Sequence, residues 1–197
     1  MKTVIVLAMH GSPPDDFSRL QVALLVGLHM SMEHMTGPAH GFLERYHTRL
    51  DDKIRAWPRT AQNDGFYTAS NELAVQLGQA TGCEVFVGFN EFCAPSLDEA
   101  LDQAAAQRAE RVVVVTPMMT PGGEHAEEDI PEAIERARER HPGVSFFYAW
   151  PFDVADVAQF LSVQIERLAR GKRPRFWNQV EPPLQLFRSQ GIARSPF

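Results

Sequence analysis

RVVVVTPMMTPGGEHAEEDIPEAIERARERHPG, residues 111–143, changes from one structural period to another along its length. Arg111–Thr116 is a near-continuous β-branched run, the pattern of a parallel strand covered on both faces. PMMTPGGE breaks it, and Gly122 and Gly123 let the backbone turn freely. Beyond them Ile130, Ala133, Ile134 and Ala137 recur at helical spacing, and His141-Pro142-Gly143 stops the pattern. Asp129 and Glu132 read as an acidic cap for that helix. His125 is then expected just ahead of the helix, on the loop that leaves the strand.

The same alternation extends in both directions. Apolar runs at 3–9 (TVIVLAM), 84–89 (EVFVGF) and 144–149 (VSFFYA) predict three more strands. Between them, 68–81 carries Leu73 and Leu77 at helical spacing with Gly82 as the stop. Ser96 and Glu99 form a capping box before a helix over Leu97–Ala109, and 154–169 predicts a last helix. Strand–helix alternation of this kind implies right-handed crossovers and an α/β, three-layer, parallel-sheet domain with four core strands. We read 1–169 as that single domain. Residues 20–60 are a helical insert in the first crossover, with one Met-rich helix (LHMSMEHM, 28–35) and one basic helix (RYHTRLDDKIRAW, 45–57). Residues 170–197 read as an irregular, basic, Pro-rich arm that could dock through Phe176, Trp177 and Phe187.

Composition narrows the function. The chain has 197 residues, 44% apolar and 22% charged, as expected of one ordinary globular domain. TVIVLAM is too short to span a membrane and lacks a signal-peptide cleavage pattern, so the cytoplasm is the expected location, with no membrane partner. Cys83 and Cys93 make neither a disulfide framework nor a metal knuckle and are expected to be buried free thiols. Residues 1–169 hold 13 Lys/Arg against 24 Asp/Glu, whereas 170–197 hold six Lys/Arg against Glu181 alone. An acidic body argues against nucleic acid as a partner.

In an open parallel sheet, ligands bind outside the carboxyl ends of the strands. Three of those ends carry acid–base or ligating residues: His10 after the first, Glu91 after the second and His125 after the third. Two imidazoles and a carboxylate with open positions suit a divalent first-row metal. Singly, each residue has an ordinary use: His10 as a loop start, Glu91 as a solvated strand-end charge. Glu127, Glu128 and Asp129 are more commonly first-turn residues favoured by the helix dipole than ligands. Chance would scatter such residues over both sheet edges, and here they share one.

HGS after the first strand, FxExxxPSL after the second (Phe89, Glu91, Pro95, Ser96, Leu97) and GGxHxxxDIP after the third resemble the short CbiX-type sirohydrochlorin chelatases, among the class II tetrapyrrole chelatases. The similarity covers 1–12 and about 64–152. It implies the chelatase α/β fold, His10 and His125 as the metal-binding and catalytic pair, and Glu91 as the acid that assists the metal. It implies a tetrapyrrole substrate and a divalent metal as co-substrate, Co²⁺ first with Fe²⁺ or Ni²⁺ as alternatives. It implies no organic cofactor, and a homodimer. The 20–60 insert and the basic tail are absent from the family's minimal pattern.

Metal insertion requires two ring N–H protons to leave while the ion sheds water, and neutral imidazole can both ligate and accept protons. A polycarboxylate tetrapyrrole also needs a local basic surface on this acidic body. Arg45 and Arg49, with Lys53, lie at i, i+4 spacing and could form one, although a solvated helix face would read the same way. Arg55 and Arg59 of the insert, and Arg170, Lys172, Arg173 and Arg175 of the tail, add to the basic inventory. His29, Met30, Met32, His34 and Met35 could take up a soft metal, packing being the commoner use of such a stripe. A non-catalytic metal-binding or carrier protein remains the main alternative. A phosphate-transfer enzyme is disfavoured, because Met9 stands where an arginine is usually needed before the His-Gly.

Overall fold

The computed structural model describes residues 2–32 and 40–171. In chain order these form β1 (Thr3–Met9), α1 (Arg19–Met32), α2 (His40–Arg55), α3 (Gly65–Thr81), β2 (Glu84–Phe89), α4 (Leu97–Ala106), β3 (Arg111–Val115), a π-helical turn (His125–Asp129), α5 (Ile130–Arg140), β4 (Ser145–Tyr148) and α6 (Val154–Ala169). All strand pairings are parallel, in the order β2-β1-β3-β4. The central places of β1 and β3 explain their apolar runs, since each has a paired strand on both sides.

Alternation along the strands divides the core. Val4, Val6 and Ala8 of β1 join Val112 and Val114 of β3 under Leu97, Leu101, Ile130 and Ile134 of α4 and α5. Leu7 and Met9 point the other way, toward Ala74 of α3, with Phe89 and Cys93 beside them. Helices therefore lie on both faces of the sheet, giving the three layers. Gly88 is what lets α4 come so close: a Cβ there would lie 2.8 Å from the Ala100 Cβ and 2.9 Å from the Leu97 Cα.

The helix signals are realised in detail at α3 and α4. Asp64 accepts from the Tyr67 amide at the start of α3, and Gly82 ends it in the left-handed region at φ +69°. Ser96 and Glu99 make the reciprocal capping box, but α4 stops at Ala106, three residues short of the expected end. The Asp129/Glu132 cap does not form. Asp129 has helical dihedrals and no capping hydrogen bond, because the helical path already begins at Glu124 through the π-helical turn.

The insert is two helices, as expected, with a small core of its own from Phe17, Leu25, Leu50 and Ile54. Contacts divide the chain into two compact units, Met1–Pro151 and Phe152–Phe197, a division that falls before α6. In the second unit, Asp153 caps α6 by accepting from the Ala155 amide, and Phe160, Leu161, Ile165 and Leu168 are exposed. The arm's Phe176, Trp177 and Phe187, its basic residues from Lys172 onward, and His34 and Met35 of the insert lie outside the described residues. Among the described residues no helix is long and apolar enough to cross a membrane.

Candidate metal centre

Three strand ends supply the three ligating residues. β1 ends in its most buried stretch and delivers His10 directly. Its Nδ1–H donates to the Gly11 carbonyl at 2.8 Å, so the neutral ring keeps its lone pair on Nε2. Gly11 is required where it stands: φ is +104°, and a Cβ would lie 1.9 Å from the Glu91 carbonyl oxygen. The first loop is thus seated directly on the second.

That second loop continues the sheet beyond β2. The Asn90 and Glu91 amides donate to the Met9 and His10 carbonyls, each at 2.9 Å, which aligns Glu91 with His10. Two arginines from the insert hold the loop's other carbonyls. Arg55 donates to Asn90 and Cys93 at 2.8 and 2.9 Å, and Arg59 donates to Phe92 at 2.5 Å and to Ser12 at 2.8 Å. Arg59 is also ion-paired with Asp64 at 2.5 Å, both side chains almost fully buried. These two arginines, counted with the basic residues of the insert, are committed to the scaffold of the site. Cys83 and Cys93 are both free; Cys93 is buried, and that burial pushes its thiol up, while Cys83 is only half-buried.

The third loop carries His125. Gly122 turns at φ +97°, and its amide donates to Glu127 at 2.8 Å. The chain then winds into the π-helical turn, closed by the Ile130 amide on the His125 carbonyl. His125 therefore sits inside the opening turn of the helical segment, which begins at Glu124 where the sequence suggested a helix starting only after Asp129. Its Nδ1–H donates to the Asp129 carboxylate in a very short contact. This leaves Nε2 facing the Glu91 Oε1 at 3.5 Å. The turn is anchored from β4, where the Tyr148 hydroxyl donates to the Ala126 carbonyl at 3.1 Å. Burial pushes that hydroxyl up to about 12, so it stays a donor.

The result is a compact constellation. Ligand atoms of His10, Glu91 and His125 all lie within 4.8 Å of one another, and the two imidazoles meet edge to face at 4.5 Å. Two ligands on one ion at bond lengths near 2.1 Å stand about 3.0–3.4 Å apart. The Nε2–Oε1 separation is too long for a good hydrogen bond and close to that range. A carboxylate behind a ligating histidine also fixes its tautomer and raises its basicity, the arrangement that Asp129 supplies. Sequence reasoning took Asp129 for a cap; its four-residue spacing from His125 was the signal that could have shown otherwise.

The centre opens into a cavity of about 620 Å³ whose wall includes His29, Met30, Asn90, Asp98 and Arg136. Asn90 Nδ2 is a buried donor with no hydrogen-bond partner among the described residues. Arg45 and Arg49 are exposed on α2 and stand outside the wall, where the arginines are Arg55 and Arg136. Lys53 is engaged with Gln21 at 2.9 Å and with the Phe17 ring, inside the α1–α2 contact. Of the Met stripe, Met30 is 66% exposed at the cavity wall and does not belong to the insert's core.

Comparison with known proteins identifies the family. The CbiX family model matches residues 58–170. A sirohydrochlorin cobaltochelatase of Priestia megaterium is 39% identical over 70 residues, 36% of this chain and 22% of that protein. A sirohydrochlorin ferrochelatase of the same organism is 32% identical over 82 residues, 42% of this chain and 30% of that one. A sirohydrochlorin cobaltochelatase of Sulfurisphaera tokodaii is 32% identical over 84 residues, covering 42% and 66%. The chain thus spans from about a fifth to two thirds of the curated relatives it matches. Among solved structures, a cobalamin (vitamin B12) biosynthesis CbiX protein from Marinobacter aquaeolei VT8 has a TM-score of 0.47 at 20% identity, over 85% of this chain and 98% of that one. The Bacillus subtilis subspecies spizizenii sirohydrochlorin chelatase SirB in complex with cobalt has a TM-score of 0.39 at 20% identity, over 77% and 44%. The matched stretch runs from the end of the insert through α6 and holds Glu91, His125 and Asp129, and the chain belongs to the CbiX family.

Proposed function

We propose that this protein inserts a divalent first-row metal into sirohydrochlorin or a related tetrapyrrole, with Co²⁺ in first place and Fe²⁺ or Ni²⁺ as alternatives. The observation that carries the reading is the convergence of His10, Glu91 and His125, with Glu91 and His125 lining one cavity of about 620 Å³. Family membership supports the reaction class, and the relatives' names support the substrate.

The roles follow from the hydrogen bonds. Nε2 of His10 and Nε2 of His125 are the lone pairs offered to the ion, each ring oriented by what its Nδ1–H touches. Glu91 completes the set with an oxygen and relays ring protons outward. Three protein ligands leave positions for water and then for ring nitrogens, which keeps the ion transferable. Once the ion moves to the macrocycle, the imidazoles are free to accept the two displaced protons. Asn90 gives the cavity a donor for substrate carboxylates, and Arg45 and Arg49 offer a basic surface outside it.

The test is anaerobic mixing of the protein with sirohydrochlorin and each metal in turn, following absorbance. Catalysed insertion that vanishes in His10→Ala and His125→Ala, with both variants folded, is the expected result. A second reading, a metal carrier on the same ligands, draws on His29 and Met30 in the cavity wall. It predicts bound metal with insertion no faster than the free ion gives.

A further inference from the structure

The helical insert brings a second pair of imidazoles to the site. His29 of α1 and His47 of α2 have ring centroids 5.7 Å apart with planes inclined by 29°. Neither ring has a hydrogen-bond partner among the described residues. Structural histidines are ordinarily held by a carbonyl or carboxylate, as His141 is by Asp102 at 2.7 Å. Asp51 lies one helical turn beyond His47 and gives Oδ2 to Arg55, which leaves Oδ1 for another partner.

His29, His47 and Asp51 line a cavity of about 230 Å³ whose other walls include Leu25, Val26 and Phe92. This cavity shares His29, Arg55, Asn90 and Glu91 with the larger one that holds His125. His29 and Glu91 therefore belong to both, and the two cavities adjoin through these shared walls. Burial pushes the His47 imidazole below its ordinary range, His29 acting in the same direction and Asp51 against both.

We propose that His29 and His47, with Asp51 beside them, form a second divalent-metal site that receives the ion and passes it to Glu91 and the two central histidines. The proposal rests on the reading of His10, Glu91 and His125 as the central site. The two imidazoles are the ligands of this site, since among the described residues Asp51 does not close with them as tightly as the three ligands of the centre close with one another. Imidazole suits the same borderline metals, and a site with few ligands releases its ion readily. The transfer exchanges water and imidazole ligands on the ion and needs no proton or electron from elsewhere.

The experiment is anaerobic equilibrium titration with Co²⁺ alone, comparing the parent chain, His10→Ala/His125→Ala, and His29→Gln with and without His47→Gln. His29 is exposed, so His29→Gln alone tests the site without threatening the fold, checked by circular dichroism. The parent should bind two equivalents, and each variant set should lose a different one. With metal limiting, His29→Gln should slow insertion several-fold, and excess metal should restore it. A His29→Gln/His47→Gln protein that binds as much Co²⁺ as the parent overturns the second site. Loss of all binding in His10→Ala/His125→Ala also overturns it, while leaving the central reading intact. Binding that survives in His10→Ala/His125→Ala at the parent's level sinks the central reading instead.

Discussion

At the scale of single residues, the site depends on side chains whose work is orientation. Asp129 touches His125 at Nδ1 and is not one of the three gathered ligands, so Asp129→Asn tests orientation separately from ligation. It should lower metal affinity or insertion on the order of 10- to 100-fold with the fold retained, as loss of such partners does elsewhere. An unchanged rate would remove Asp129 from the site. Gly11 acts through the absence of a side chain. Gly11→Ala places a carbon 1.9 Å from the Glu91 carbonyl oxygen and demands an unfavourable φ. The two loops must separate, at a cost of about 1–3 kcal/mol in unfolding free energy, read from chemical denaturation, and a weaker Co²⁺ site. Full stability together with full affinity would show that the loops are less interlocked than the contact implies.

At the scale of elements, α5 is fixed at both ends, and each fixing can be tested. Tyr148 ties the π-helical turn to β4, and Tyr148→Phe should cost about 1 kcal/mol, read from chemical denaturation. Asp98 at the start of α4 receives Arg136 at 2.8 Å and Arg140 at 3.0 Å, both from α5. Burial raises the Asp98 carboxyl, but the hydrogen bonds and charges of the two arginines outweigh it and hold it below 3.8. A carboxylate depressed on folding stabilises above its ordinary range, and that contribution fades as pH falls through the folded value. Asp98→Asn should therefore melt below the parent at pH 7, and the gap should close as the pH falls through the folded value of the carboxyl. A gap that persists in acid would mean the residue acts by packing or capping. Much of this scale was legible in the sequence, because strand runs, capping boxes and glycine stops are local signals. The π-helical turn was not, since HAEEDIP carries the same periodicity whether its first turn closes at four residues or at five.

At the scale of the whole molecule, the insert is part of the site's construction. Arg55 and Arg59 reach from α2 and the segment after it to clamp the carbonyls around Glu91, which makes the insert integral to the α/β core it interrupts in sequence. Arg45 and Arg49 remain exposed on the same helix. Replacing both by Gln should raise the KM for the tetrapyrrole several-fold and leave the kcat of insertion unchanged. An unchanged KM would assign the substrate's carboxylates to the cavity wall alone.

Periodicity and chain order by themselves determined the four parallel strands, the helices between them and the common edge carrying His10, Glu91 and His125. Those features follow from local burial needs and from the rule that parallel strands share a carboxyl end. Only the tertiary structure decided which basic residues are scaffold, that Asp129 serves His125, and that His29 meets His47 beside the centre. The first and the last depend on side chains meeting across separate elements, at packing distances that no local pattern records; the second had a four-residue spacing as its signal, but that spacing alone does not show the turn that brings Asp129 onto His125.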